Sequence, residues 1–108
     1  MKELSKTDYC LLIDYYGDLL NEYQKEALRM YYDCDMSYAE IAESYGISRQ
    51  GARDVIARAS DKISEVENKL HFVKRIGEYE KELDALIEST DGDMKEKIVV
   101  LKKKLREI

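Results

Sequence analysis

Proline and tryptophan are absent from the 108 residues, and there are only five glycines, two cysteines, one histidine and one phenylalanine. Without proline, almost nothing in the chain forces a helix to stop. Two cysteines inside helical patterns, with no metal-ligand spacing around them, leave neither a disulfide framework nor a zinc site. Cys10 and Cys34 read as small buried hydrophobes in a reducing compartment. His71 stands alone as a surface or interface residue, and no metal or cofactor is expected. There is no long apolar run and no charged-then-apolar leader after Met1, so neither a membrane span nor a secretory signal is expected, and the reading is cytoplasmic. Catalysis needs a nucleophile or base beside a partner, or a glycine-rich phosphate loop. None is present, so no catalytic residue is assigned and an enzyme is not expected.

What remains is rich in helix formers: 44% hydrophobic and 38% charged residues, enough for one small core, and an all-α fold is expected. Apolar side chains from Tyr9 to Leu20 mark a first helix. Asn21 and Gln24 form a capping box for a second, which should end near Asp33 to Asp35. Ser37 and Glu40 form another box, opening a short helix with Ile41, Ala42 and Tyr45 inward. Gly46 suits a left-handed turn, and Ser48 caps a helix starting at Arg49. From there Ala52, Ile56, Ala59, Ile63, Val66, Leu70 and Val73 step by four and three, and no proline interrupts before Thr90. An unbroken helix to Glu88 would be about 60 Å long, so part of it must project or break; the pattern loses phase near Ile76 and Gly77. After Thr90 to Asp93, Met94, Ile98, Leu101, Leu105 and Ile108 mark a last helix with Lys102, Lys103, Lys104 and Arg106 at its end.

Charge is unevenly distributed. Residues 1–47 carry 4 basic and 10 acidic groups, residues 48–75 carry 7 and 4, and residues 76–108 carry 7 and 9. A net +3 middle in a chain of net charge -5 suits a confined polyanion site and argues against non-specific coating of nucleic acid.

Residues 36–59, "MSYAEIAESYGISRQGARDVIARA", combine the capping box, Ala42 four residues before Gly46, Ile47 as a plug between helices, and Ser48 ahead of an arginine-bearing helix. That order fits a helix-turn-helix. Arg49, Gln50 and Arg53 have the right types for phosphates and base edges, with Arg58 at the edge, while Asp54, Glu40 and Glu43 oppose. The nine tyrosines read as helix-packing groups with a wet hydroxyl end.

The stretch "YYDCDMSYAEIAESYGISRQGARDVIARASDKI" resembles the DNA-binding region 4 of bacterial sigma factors. With "DYYGDLLNEYQ" before it and "ENKLHF" after it, the chain is similar to the YlxM family of small bacterial proteins. The likeness covers residues 7–75 well and fades beyond. Gly51 inside the recognition helix and the small Ala52 depart from the sigma pattern. The resemblance implies a sigma region 4-like helix-turn-helix domain over residues 1–75 and a C-terminal helical extension over 76–108. It makes Ser48, Arg49, Gln50, Arg53 and Arg58 the nucleic-acid contacts. It also implies, through gene neighbourhood, a link to the signal recognition particle, whose RNA or GTPase protein would be a partner; the target is left open between DNA and that RNA. The alternative is a protein-interaction module on a helix-turn-helix scaffold. Either reading expects a homodimer, its apolar seam formed by Ile63, Val66, Leu70, Val73, Leu83 and Leu86.

Overall fold

Three capping boxes set the starts of the first three helices. In each, a Ser or Asn oxygen accepts from the backbone N–H three residues on, and the side chain at that position returns a bond to the cap's own N–H. Ser5 with Asp8 opens α1 (Lys6–Tyr16), Asn21 with Gln24 opens α2 (Glu22–Tyr32), and Ser37 with Glu40 opens α3 (Tyr38–Tyr45). The computed structural model describes residues 4–107. Among them the regular elements are helices: α4 (Arg49–Leu70), α5 (Phe72–Ser89) and α6 (Gly92–Arg106) follow, with a single 3₁₀ turn at Gly17–Leu19 where the sequence suggested that α1 ran on to Leu20. The all-α, helix-turn-helix class expected from the sequence is the one found.

The chain divides into two compact units, one ending at Leu70 and one beginning at His71. In the first, α4 is the spine against which α1, α2 and α3 all pack. Leu12 and Ile13 on α1, Ala27 and Leu28 on α2, Ile41 and Ala42 on α3, and Ala52, Ile56, Ala59 and Ile63 on α4 are buried. Small residues at positions 27, 42, 52 and 59 let the helix backbones come close, while the Leu and Ile side chains fill the space between them. Two tyrosine hydroxyls tie long-range pairs: Tyr32 with the buried Ser60 at 3.0 Å, and Tyr16 donating to Glu67 at 2.6 Å. The packing role read for the tyrosines holds at both.

The second unit is a helical hairpin of α5 on α6. Leu83 and Ile87 on α5 and Ile98 and Leu105 on α6 are half-buried, and Lys102–Asp84 and Arg106–Glu80 ion pairs join the two helices. Ile76 on α5 is buried. Tyr79, Leu86, Met94, Val99, Val100 and Leu101 all remain exposed.

The long seam breaks at His71, earlier than the phase slip at Gly77 suggested. His71 takes a left-handed conformation with φ 53°, ending α4 at Leu70 and starting α5 at Phe72, and Gly77 sits inside α5. Histidine is one of the few non-glycine residues enriched in that region. The cysteines also differ from expectation. Cys34 follows the end of α2 and is exposed, and Cys10 is half-buried. Both are free thiols. The Cys10 thiol is pushed up to about 11 by a hydrogen bond with the Asp33 carboxylate and, next, by burial.

Candidate nucleic-acid interface

The turn between α3 and α4 is built by its backbone. Gly46 adopts φ 65°, its N–H reaches back to the carbonyl of Glu43 at 3.3 Å, and the Ile47 N–H bonds the carbonyl of Ala42 at 3.0 Å. These bonds satisfy carbonyls that the end of a helix otherwise leaves open. Nothing would crowd a Cβ at Gly46, so the demand for glycine there is purely conformational. Gly46→Ala is expected to lower stability by about 1 kcal/mol, and Gly46→Asn by less, in urea unfolding of the whole chain. Ile47 does not plug the interface as read from sequence; it lies at the margin, 36% exposed.

Ser48 begins the next helix by accepting from the Gly51 N–H at 2.9 Å. A Cβ on residue 51 would sit 3.1 Å from the Ser48 hydroxyl, so the glycine that weakens the helix also leaves room for its cap. Ala52, Ile56 and Ala59 are buried, which turns Arg49, Gln50, Arg53, Asp54, Ala57 and Arg58 outward. The Gln50 amide donates to Asp54 at 2.9 Å, four residues on, occupying part of the carboxylate that would face a phosphate. Among the described residues, no carboxylate forms an ion pair with Arg49, Arg53 or Arg58.

Three of the five residues assigned to nucleic acid converge. Arg49, Gln50 and Arg53 line one cavity of about 380 Å3, and its fourth wall is Tyr38, the first residue of α3. Arg58 lies five residues beyond Arg53, about 140° around the helix, and does not line it. The Ser48 hydroxyl is engaged in the cap. Tyr38 went unassigned in the sequence because its signal is tertiary. Its ring stacks on Tyr31 with centroids 4.9 Å apart and planes 1° from parallel; Tyr31 meets Tyr32 edge-on at 4.9 Å, and Tyr32 stacks on Tyr9 at 4.7 Å. This chain of rings runs from α1 through α2 to the mouth of the cavity. The Tyr38 phenol is held above its ordinary range by a hydrogen bond with Tyr31 and then by burial, with Arg53 pulling the other way. Burial dominates at Tyr32, which is pushed up to about 12 against the opposing bond to Ser60. Both rings therefore stay neutral at physiological pH.

Residues 4–105 match the family model described as "Putative helix-turn-helix protein, YlxM / p13 like", UPF0122. The chain belongs to that family. It is 40% identical over 92 residues to a UPF0122 protein of Desulforamulus reducens, covering 85% of this chain and 77% of that one. A relative in Symbiobacterium thermophilum is 41% identical over 91 residues, covering 84% and 83% of the two chains. One in Bacillus licheniformis is 41% identical over 81 residues, covering 75% and 76%. The YlxM-like match therefore extends past residue 75, where the sequence resemblance faded, into α6.

The six residues assigned to a dimer seam lie in different surroundings. Ile63 is fully buried within the chain and has no surface left to offer. Val66, Val73 and Leu83 are half-buried, and Leu70 and Leu86 are exposed. Among the described residues no group of His, Cys, Asp and Glu could hold a metal ion, and no helix is long and apolar enough to cross a membrane.

Proposed function

We propose that this protein is a cytoplasmic, non-enzymatic nucleic-acid-binding regulatory or accessory factor that presents Arg49, Gln50 and Arg53 to its target. The observation that carries the reading is that Arg49 and Arg53, which form no ion pair with a carboxylate among the described residues, share one cavity in a chain of net charge -5. Guanidinium groups without a carboxylate partner among the described residues are poised for an external anion, and the phosphates of a nucleic acid, with its neutral base edges beside them, suit their spacing on a helix after a tight turn. The N-terminal end of α4 at Ser48 continues this surface, while Arg58, about 140° around the helix from Arg53, would contact a second segment of the target. The family resemblance makes the RNA of the signal recognition particle, and its GTPase protein, the first partners to test.

The experiment is a pull-down of total cellular nucleic acid and lysate on the purified protein at low and moderate salt, with bound RNA, DNA and protein identified. Recovery of nucleic acid that falls steeply with salt supports the reading. Salt-insensitive recovery of protein alone would replace it with the interaction-module reading.

One observation favours that second reading as a companion. The exposed face of α5 and α6 includes an open groove of about 570 Å3 lined by Tyr79, Leu83, Leu86, Leu101 and Leu105, with the charged Glu82 and Lys104. Two hairpins packed face to face would form a four-helix bundle and cover both grooves, so a second copy of this chain is the proposed occupant. Leu83 and Leu86 remain in that interface, and Ile63 does not. The double variant Leu86→Glu/Leu101→Glu is expected to halve the mass seen in light scattering without loss of helix by circular dichroism. An unchanged mass would rule the dimer out.

A further inference from the structure

The cavity on the arginine face is walled by an aromatic ring, and this restricts the nucleic acid that fits it. Inside a duplex both faces of every base are already stacked, so a protein ring finds nothing to cover except at its ends. Loops, bulges and single strands offer free base faces, and aromatic side chains beside cationic groups are the means by which proteins take them. Tyr38 is suited to this use. One face of its ring rests on Tyr31, nearly parallel, and that support continues through Tyr32 to Tyr9. The ring is thus held in place before any ligand arrives, which removes the ordering cost that a free tyrosine would bring. Tyr38 also lines a cavity of about 380 Å3 with Arg49, Gln50 and Arg53. That volume is enough for one planar base, and the two guanidinium groups among its lining residues are of the type that holds phosphate.

We propose that Tyr38 is a stacking platform for one unpaired nucleobase, continuing the Tyr31–Tyr38 stack, with Arg49 and Arg53 holding the adjoining phosphates. The proposal rests on the nucleic-acid reading above and narrows it from any polyanion to a strand with an unpaired base. Gln50 is the group in reach of a base edge, and its bond to Asp54 fixes the orientation of its amide. Glu40, the nearest acidic residue in sequence on α3, is turned back to the backbone of Ser37 by the capping box and so is drawn away from the strand.

The probe is an RNA hairpin whose loop carries one 2-aminopurine, compared with the blunt duplex of the same stem. Binding of the wild-type chain is expected to quench the 2-aminopurine and to favour the hairpin about tenfold. Tyr38→Phe keeps the ring and should keep both effects. Tyr38→Ala should lose both, and Tyr38→Leu, which retains apolar bulk against Tyr31, should lose them with an unchanged melting temperature. A DNA hairpin of the same sequence shows whether the base is taken from RNA or DNA; quenching with either supports the proposal. Equal affinity for hairpin and duplex, or quenching that survives Tyr38→Leu, would overturn it. If those results came with binding that still fell in Arg49→Ala/Arg53→Ala, only the stacking proposal would fail. If no probe bound and the arginine substitutions changed nothing, the nucleic-acid reading would fall with it.

Discussion

Replacing Arg49 and Arg53 together by alanine is expected to weaken nucleic-acid binding by at least about tenfold at low salt, and to reduce the slope of log affinity against log salt by about 2. The slope follows from counterion release: each guanidinium that leaves a phosphate takes roughly one released ion with it. The affinity loss follows from removing two charge-assisted hydrogen bonds that no carboxylate ion pair competes for among the described residues. Both side chains are exposed, while Ala52, Ile56 and Ala59 hold α4 in the core, so the variant should melt within about 0.5 kcal/mol of the wild type. A salt titration of fluorescence anisotropy checks it. The single variants divide the labour: loss of sequence choice on Arg53→Ala would mean that this residue reads a base, and uniform weakening would mean that it holds a phosphate. An unaltered slope in the double variant would remove these residues from the interface.

Leu28→Ala is expected to have the largest effect on stability, about 3 kcal/mol, with a fall in melting temperature of roughly 12 to 20 °C. Leu28 is completely buried on α2, the helix that packs on α1, α3 and α4 together, so the cavity left behind would open between several elements with little freedom to collapse. The matched control is Leu19→Ala. That leucine is 50% exposed in the 3₁₀ turn and should cost less than about 1 kcal/mol. Thermal unfolding followed by circular dichroism separates the two. Similar losses at both positions would mean that α2 is not the keystone of the first unit.

Much of the first unit was legible because its signals are local. A capping box occupies four consecutive residues, and those at Asn21 and Ser37 are both formed; the glycine of a left-handed turn announces itself at Gly46, and the four-three steps of Ala52, Ile56 and Ala59 mark a buried stripe. What escaped depends on conformation without a compositional mark, or on residues far apart in sequence. The break at His71 is carried by one non-glycine residue in the left-handed region, while the apolar steps run past it from Val66 to Val73 undisturbed. Ile63 belongs to the same periodic series as Leu70, yet one is core and the other surface, because periodicity gives the face of a helix and not where its neighbours end. Tyr38 on α3 needed the rings of Tyr9 on α1 and of Tyr31 and Tyr32 on α2 to be brought together. Arg49, Gln50 and Arg53 could be named from sequence because they share one short helical segment, but the aromatic wall beside them could not.

The most direct test of the arginine face is ultraviolet crosslinking of the protein in cell extract, followed by mass spectrometry of the peptides that retain nucleotide. Crosslinks are expected on Tyr38 and within residues 48–58, and they should disappear from extracts made with Arg49→Ala/Arg53→Ala. Crosslinks confined to α5 and α6, or nucleotide-free peptides throughout, would contradict a nucleic-acid role for the helix-turn-helix.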